Sequence, residues 1–269
     1  MNPSTRKLLH QEYCRAVMNS SSGIQVFKAF YDSLENAEIV DEDSDVIDAF
    51  VDGIRGTLGQ REMYKEMEKV IDSLKITFYY ISLWVDPAFK VEFSDRMKQA
   101  GSTLEKLLCK AITSNESVTI RDTYGIRGVV KSELEQDEEE TQHVYNLYNS
   151  FLGIVAQRSK KKKEAFKQWI SSMEISLKEK EAISFILNCP FGISYRKDYI
   201  KDPKPNGYRT LQFTLSIPMY SQVLPGAQIE IQLRTSSMDW VATEGTASHE
   251  DYKDEILKQV KGIFTLKNS

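Results

Sequence analysis

The sequence is poor in the residues that mark metal centres, disulfide scaffolds and membrane segments. Its 269 residues include three histidines, and its three cysteines, Cys14, Cys109 and Cys189, lie far apart in no CxxC or Cys/His spacing. This argues against a zinc site and a disulfide framework and favours a reducing compartment. The longest apolar-rich run, ITFYYISLWV, is half a membrane span, and residues 1–20 contain no signal-peptide core. We therefore expect a soluble, cytoplasmic protein without membrane contact.

Glycine-rich phosphate loops are also missing. Neither GxGxxG nor GxxxxGK[ST] occurs in the chain. The net charge of −4 argues against a protein that coats nucleic acid, so local basic clusters are more informative than the total charge. Any phosphate binding must therefore come from side chains.

The order of periodic segments predicts an α+β fold. Residues 5–87 place apolar side chains three and four apart, which favours helices, and residues 136–187 do so again. Strands are predicted at FKVEF, YGIRGVV, ISYRKDYI, YRTLQFTLSIP and AQIEIQLRT, and a final helix is predicted from Ser236 through GIFTL. We expect a mainly antiparallel or mixed five-stranded sheet flanked by helices.

These segments suggest three parts of the chain. Residues 1–60 form an N-terminal helical extension in this interpretation, and residues 61–255 form the main domain. A helical, lysine-rich insert occupies about 132–192, and residues 256–269 are a C-terminal helix or tail.

Two stretches contain residues that suit a nucleoside triphosphate. The first supplies cations, and the second supplies a carboxylate and an arginine. RMKQAGSTLEK offers Arg96, Lys98, Ser102 and Lys106, whose cations can converge on phosphates, although solvated surface charge is the alternative. In RDTYGIRG, Asp122 precedes a strand that carries Arg127. A carboxylate there suits Mg²⁺, and an Asp–Arg surface pair is the alternative.

The loop DYIKDPKPNGYRTLQ places an aromatic ring among cations on a stiff turn. Two prolines restrict the chain, and Gly207 permits a turn. Tyr208 can then stack on a base while Lys204 and Arg209 neutralise phosphates, although half-buried packing would also explain the tyrosine. Asn206 belongs to the same turn.

The segment EIQLRTSSMDW predicts a strand with one polar face. Glu230, Gln232 and Arg234 alternate with apolar residues, so they share a face that is either functional or simply solvated. Glu230 is a candidate second metal ligand or a base for a sugar hydroxyl. We expect His249, further along, to have a structural role.

Taken in order, RxKxxxSxxxK, DxxGxR, PKxNGYRxL and ExQxRT, followed by MDxxA and H...YK, closely resemble the synthetase domain of RelA/SpoT homologues over roughly residues 60–255. The resemblance implies a nucleotidyltransferase-like synthetase fold and a pyrophosphokinase that transfers the β,γ-pyrophosphate of ATP to the 3′-hydroxyl of GDP or GTP, making (p)ppGpp. The motif positions imply donor binding by Arg96, Lys98, Ser102, Lys106 and Arg127, Mg²⁺ binding by Asp122 and Glu230, and acceptor binding by Lys204, Asn206, Tyr208, Arg209, Gln212 and Gln232, with Asp122, Glu230 and Tyr208 as the catalytic set.

Two departures from the family pattern keep other functions open. Gln212 stands where the family usually has His, and the run Lys160–Lys163 lies in a long insert. Four lysines are usually a solvated helix face or turn, but they would also suit a polyanion. Some small relatives are toxins that pyrophosphorylate the 3′ end of tRNA or make an adenosine product and are neutralised by a protein antitoxin. A nucleotide-binding module without chemistry is a third interpretation.

The resemblance covers a synthetase region, so we expect a stand-alone synthetase without hydrolase activity. Several small relatives are homo-oligomers, and the front helices are a candidate surface for a second copy or for an antitoxin.

Overall fold

A computed structural model describes isolated positions between 8 and 32 and then residues 64–98, 103, 123–132, 137–156, 159–218 and 226–245. The helices are α1 (Tyr64–Val85), α2 (Asp137–Ile154), α3 (Lys160–Ser172), α4 (Leu177–Asn188) and α5 (Ser236–Thr243), and the strands are β1 (Lys90–Met97), β2 (Tyr124–Lys131), β3 (Gly192–Asp198), β4 (Leu211–Ser216) and β5 (Gln228–Thr235).

The five strands form one mixed sheet in the order β1-β2-β5-β4-β3. β2 pairs with β5 in parallel, whereas β5 pairs with β4, and β4 with β3, in antiparallel fashion. The predicted α+β class and five-stranded sheet are therefore confirmed, and the sheet is mixed. In this register, Gly125 lies beside Glu230, and Arg127 and Gln212 lie on either side of Gln232.

One face of the sheet packs against helices through apolar side chains. Phe213, Ile231 and Leu233 are fully buried there, and the ring of Phe213 lies 5.0 Å from that of Tyr148 on α2. The Phe151 ring, also on α2, stacks at 3.9 Å on Phe78 of α1. Burial of these rings supplies the main stabilisation of the sheet and helices.

Gly128 on β2 is required by close packing on that same face. A Cβ at this position would lie 2.7 Å from a ring carbon of Phe93 and 2.9 Å from a methyl of Leu233. A larger residue would therefore separate β2 from its neighbours.

Three helices, α2 to α4, follow one another between β2 and β3, and polar caps mark the starts of α3 and α4. The hydroxyl of Ser159 accepts a hydrogen bond from the Lys162 N–H at the start of α3. At the start of α4, Ser176 and Glu179 form a reciprocal capping box. The boundaries thus follow side chains that satisfy free N–H groups at helix starts.

The helical stretch predicted from Ser236 through GIFTL begins at Ser236, and within the described residues it forms one short helix, α5. α5 ends at Thr243, where the N–H groups of Glu244 and Gly245 both bond to the carbonyl of Trp240. Gly245 has low helix propensity, so the periodicity around it does not extend the helix. The C-terminal helix or tail predicted for 256–269 lies outside the described residues, as does most of the predicted extension at 1–60.

Residues Met63–Arg96 and Tyr124–Ser248 form one compact unit, and the remaining segments form a second. None of the helices in the described ranges has the length and apolar character needed to cross a membrane.

Candidate functional site

The polar row on β5 is buried, although the sequence left open whether it is a solvated face. Glu230, Gln232 and Arg234 are 8%, 9% and 3% exposed. Their side chains are linked, because Gln232 Nε2 donates to Glu230 Oε1 at 2.6 Å and Arg234 Nη2 donates to Gln232 Oε1 at 2.8 Å. A buried charged row of this kind costs free energy of folding unless it is well paired, so its presence favours a functional role.

The carboxylate of Glu230 is held from both sides by amides. Gln212, the neighbour of Gln232 across the β4–β5 ladder, donates from Nε2 to Glu230 Oε2 at 2.5 Å. Each carboxylate oxygen therefore accepts one amide hydrogen, which fixes the orientation of the group. The residue that replaces the family's usual His thus contacts the acidic residue of this face directly.

Arg234 connects this row to the tyrosine loop. Its Nη2 donates to the Tyr208 hydroxyl at 2.7 Å, and its guanidinium carbon lies 4.9 Å from the centre of the Tyr208 ring. Burial raises the pKa of the Tyr208 hydroxyl, although Arg234 acts in the opposite direction. The tyrosine is therefore a neutral ring with a fixed hydroxyl at neutral pH.

The next two strands, β2 and β1, add one guanidinium group each, from Arg127 and Arg96. Arg127 Nη1 lies 3.5 Å from Oδ1 of Asp239, and a Cβ on Gly125 would lie 3.7 Å from Cγ of Arg96 and from the backbone oxygen of Glu230. Burial lowers the pKa of Arg127, and the charges of Arg234 and Arg96 lower it further against the effect of Asp239. These arginines therefore form a cationic cluster beside Glu230.

Two donors in this cluster have no acceptor. The Nε groups of Arg127 and Arg234 are both buried without a hydrogen-bond partner. Unsatisfied buried donors are rare in proteins and are typical of sites that bind a further group. A cluster of this charge and donor content suits phosphate oxygens.

The loop between β3 and β4 is built as a tight turn that presents Tyr208. Gly207 has a φ of 81°, and its N–H donates to the carbonyl of Lys204 at 2.8 Å. The side-chain oxygen of Asn206 accepts from the Tyr208 N–H at 3.3 Å, while the N–H of Lys204 donates to the Tyr208 carbonyl. Asn206 and Gly207 thus shape the turn through side-chain and backbone conformation.

Cations and rings alternate along the outer part of this loop. The Lys204 ammonium lies 4.8 Å from the ring centre of Tyr208 and 4.9 Å from that of Tyr199. Lys197 on β3 lies 5.5 Å from Tyr199 and 5.6 Å from Tyr195. The candidate acceptor loop therefore continues into a row of rings and ammonium groups that the sequence analysis did not single out.

Arg209 points to the other side of the loop. Its guanidinium lies 3.7 Å from Asp137 at the start of α2, and Asp137 also accepts from the hydroxyls of Thr235 and Ser237. Glu140, one turn later, accepts from the Ser236 N–H at 3.1 Å. The acidic start of α2 therefore fastens both the loop and the β5–α5 junction.

Some of the residues that the sequence analysis considered for the site lie outside the described part of the chain. They are Ser102, Lys106, Asp122 and His249. Lys98 belongs to the second compact unit, where its N–H donates to the carbonyl of Thr123 at 2.9 Å. The structure therefore brings together Arg96, Arg127, Tyr208, Gln212, Glu230 and Gln232, with Lys204, Asn206 and Arg209 on the adjoining loop.

Glu230 provides oxygen donors of the kind that Mg²⁺ prefers. Among the described residues, no group of three His, Cys, Asp or Glu side chains could hold a metal. Magnesium sites use one or two protein carboxylates together with substrate phosphates and water, so one oriented carboxylate next to an arginine cluster that suits phosphate oxygens fits this ion.

With this geometry in place, the chain can be assigned to a class of protein. It has a mixed sheet whose polar face combines a fixed carboxylate, an arginine cluster and a tyrosine loop. The family described as "Region found in RelA / SpoT proteins" matches residues 95–256, which is more than half of the chain. The chain belongs to this RelA/SpoT family.

Curated relatives match over short segments. A probable chloroplastic GTP diphosphokinase from Arabidopsis thaliana is 49% identical over 73 residues, covering 25% of this chain and 12% of the relative. A guanosine-3′,5′-bis(diphosphate) 3′-pyrophosphohydrolase from Borreliella burgdorferi is 47% identical over 60 residues, covering 22% and 8%. The chain thus spans about a tenth of these relatives' length.

Among solved structures, small alarmone synthetase 2 from Bacillus subtilis is similar to this chain, with 21% identity and a TM-score of 0.42. The match covers 74% of this chain and 86% of that protein.

Proposed function

We propose that this protein is an ATP-dependent pyrophosphokinase that transfers the β,γ-pyrophosphate of ATP to a ribose 3′-hydroxyl of GDP or GTP. The observation that carries the proposal is a chain of hydrogen bonds that runs from Glu230 through Gln232 to Arg234 on one buried sheet face and on to Tyr208 of the adjoining loop. Membership of the RelA/SpoT family and the name of one curated relative, a probable GTP diphosphokinase, support the same chemistry.

The proposed donor site uses the arginine cluster. Arg127 lies on β2, next to the strand that carries Glu230, and Arg96 lies on β1. The family pattern places Arg127 against the adenine. It also adds Lys98, Ser102 and Lys106 as ligands for the phosphates. Pyrophosphoryl transfer needs charge neutralisation and in-line placement more than covalent assistance from the protein. Buried guanidinium groups that are fixed before the substrate arrives meet this need.

The proposed acceptor site is the tyrosine loop. Tyr208 stacks on the base, because its ring is held by Arg234 at the hydroxyl and by the turn at the backbone. Gln232 and Gln212 hold Glu230 near the ribose, and Lys204 reaches the acceptor phosphates. Asn206 and Arg209 fix the loop.

In the reaction, the 3′-oxygen of the acceptor attacks the β-phosphorus of ATP. The bond from that phosphorus to the α,β-bridging oxygen breaks, AMP leaves, and Glu230 accepts the hydroxyl proton. Asp122 and Glu230 would hold Mg²⁺, which supplies further neutralisation of phosphate charge when bound. Orientation of the 3′-hydroxyl by the Gln212–Glu230–Gln232 set places the nucleophile for in-line attack.

The test is a transfer assay with four acceptors. The purified protein is incubated with ATP labelled in the γ-phosphate, Mg²⁺ and, separately, GDP, GTP, ATP or deacylated tRNA. We expect label on the 3′-hydroxyl of GDP or GTP. Absence of label on all four acceptors would contradict the proposal and favour a binding module without chemistry.

A second candidate function is pyrophosphorylation of the tRNA 3′ end by a toxin that a protein antitoxin neutralises. The first turn of α3 favours it, because Lys160, Lys161 and Lys162 are exposed there and the turn contains no acidic residue. Lysines at a helix start oppose the helix dipole, so they reduce helix stability. Binding of a polyanionic acceptor such as tRNA would explain why lysines occupy these positions.

A lysine substitution separates the two candidates. Lys163 is excluded from the change, because its ammonium donates to the carbonyl of Leu187 at 2.5 Å and burial lowers its pKa. We expect Lys160, Lys161 and Lys162, all changed to Gln, to reduce transfer to tRNA about tenfold and to leave transfer to GDP unchanged. Equal losses with both acceptors would remove the argument for the lysine run.

A further inference from the structure

One carboxylate on α5 is shared by the two arginines that serve the opposite halves of the site. Asp239 Oδ1 lies 3.1 Å from Nη1 of Arg234 and 3.5 Å from Nη1 of Arg127. Arg127 belongs to the proposed donor half, whereas Arg234 holds the Tyr208 ring of the acceptor half. Asp239 is the Asp of the MDxxA motif, and the sequence analysis gave it no functional role.

We propose that Asp239 is a positioning residue for both nucleotides: it holds Arg127 and Arg234 at a fixed separation, so that donor and acceptor are bound in register. This inference rests on the proposed function of the same site. It assigns to α5 a role in aligning the two substrates, in addition to covering one end of the sheet.

The need for such a residue follows from charge. Arg127 and Arg234 lie close enough to repel each other, and the charge of Arg96 adds to this repulsion. Arg234 is 3% exposed, so water screens its charge poorly. A carboxylate between the two guanidinium groups offsets the repulsion and supplies directional acceptors.

The position of Asp239 is itself fixed by the backbone. α5 begins immediately after β5, with Thr235 as its N-cap, and Glu140 accepts the N–H of Ser236. Asp239 therefore lies in the first turn of a helix anchored directly to the strand that carries Arg234. Few rotatable bonds separate the carboxylate from the sheet, which limits its movement relative to the site.

The contacts extend from Asp239 through the rest of the polar face. Arg234 donates to Gln232, and Gln232 donates to Glu230, so the orientation of the Gln232 amide depends on Arg234. A displaced Arg234 would leave the oxygen of Gln232 without this donor and would release the Tyr208 hydroxyl. Loss of Asp239 should therefore affect acceptor binding as well as donor binding.

The test uses equilibrium binding, which does not require turnover. Binding of GDP and of α,β-methylene-ATP to the full chain is measured by calorimetry for the wild type, Asp239→Asn and Asp239→Glu. We expect Asp239→Asn to weaken both ligands at least tenfold and Asp239→Glu, which keeps the charge, to weaken them less. Arg127→Ala should mainly weaken the ATP analogue, and Tyr208→Ala should mainly weaken GDP.

Glu164→Gln is the matched control, because Glu164 forms an exposed ion pair with Lys167 at 3.0 Å on α3. This change should leave both affinities unchanged. Asp239 also lies in the first turn of α5, where a carboxylate stabilises the helix. A purely structural role would lower the melting temperature of Asp239→Asn and leave both affinities intact, and this result would overturn the inference.

The inference would also be overturned if Asp239→Asn weakened the affinity for only one of the two ligands. Should Asp239→Asn fail to fold, Asp239→Glu decides alone: unchanged affinities for both ligands contradict the inference, and weakening of both supports it. If the wild type binds neither GDP nor α,β-methylene-ATP, this result refutes the proposed function, and the inference with it.

Discussion

The two faces of β4 and β5 differ in the contacts that hold their side chains. On one face, Phe213, Ile231 and Leu233 are fully buried and pack without hydrogen bonds, whereas on the other Glu230 and Arg234 are almost as buried but are fixed by directional contacts. Apolar packing stabilises the fold, and a buried polar row does so poorly. The polar face is therefore explained by function, and the helical face by stability.

The strongest test of this difference removes one charge from the polar face. We expect Glu230→Gln to lower the rate of pyrophosphate transfer by about 10²–10⁴-fold, because the side chain keeps its size but loses its ability to accept a proton. The melting temperature should change little. Transfer assays and thermal unfolding on the same preparation measure the two effects.

Glu92→Gln is the corresponding control on β1, where Glu92 is exposed and pairs with Lys131 at 2.7 Å. It should leave both quantities unchanged. A Glu230→Gln protein with normal transfer would mean that the carboxylate is not part of the chemistry.

The second test acts on the apolar face. Phe213→Ala should lower the free energy of unfolding by about 3–5 kcal/mol, because a fully buried ring that contacts Tyr148 and Phe151 is replaced by a cavity. Urea unfolding measures the change. At a temperature where the protein is still folded, the Michaelis constants for both nucleotides should stay close to those of the wild type.

The same substitution at an exposed ring is the control for this test. Phe185 on α4 is 36% exposed, and Phe185→Ala should cost far less than Phe213→Ala. Similar losses for the two variants would show that the sheet face is not the main source of stability.

Strand alternation, together with short β-type runs such as YGIRGVV, was enough to predict all five strands, and alternation alone predicted the shared face of Glu230, Gln232 and Arg234. Alternation does not predict whether a polar face is exposed to solvent or buried, because burial depends on which other elements cover that face. In this structure α5 and the Tyr208 loop contact the polar residues, and neither contact has a local sequence signal.

Contacts between residues distant in the chain were missed for the same reason. Asp137 and Glu140 lie in the acidic first turn of α2, and the helical periodicity of residues 136–187 gives no indication of their partners. Their partners, Thr235 to Ser237, follow about a hundred residues later. The helical periodicity after Ser236 also concealed the end of α5 at Thr243, because amphipathic spacing continues across the break at Gly245.

A smaller expected effect is the pH dependence of stability that arises from His143, the one histidine in the described helices. His143 on α2 is 2% exposed, bonds to the hydroxyl of Ser82 at 2.9 Å and stacks on Phe89. Burial lowers its pKa, although Asp86 acts in the opposite direction. In the unfolded chain the same imidazole titrates near its ordinary value of about 6.5, so the unfolded state binds more protons as the pH falls through that value.

The protein should therefore lose stability when the pH falls from 7.5 to 5.5. We expect the melting temperature of the wild type to decrease by about 2–4 °C more than that of His143→Gln, which keeps a hydrogen-bonding group without the titration. Nucleotide affinity of the folded protein at pH 6 should be the same for both proteins, because His143 lies on the helical side of the sheet. Equal acid sensitivity of the two proteins would assign the loss of stability to other groups.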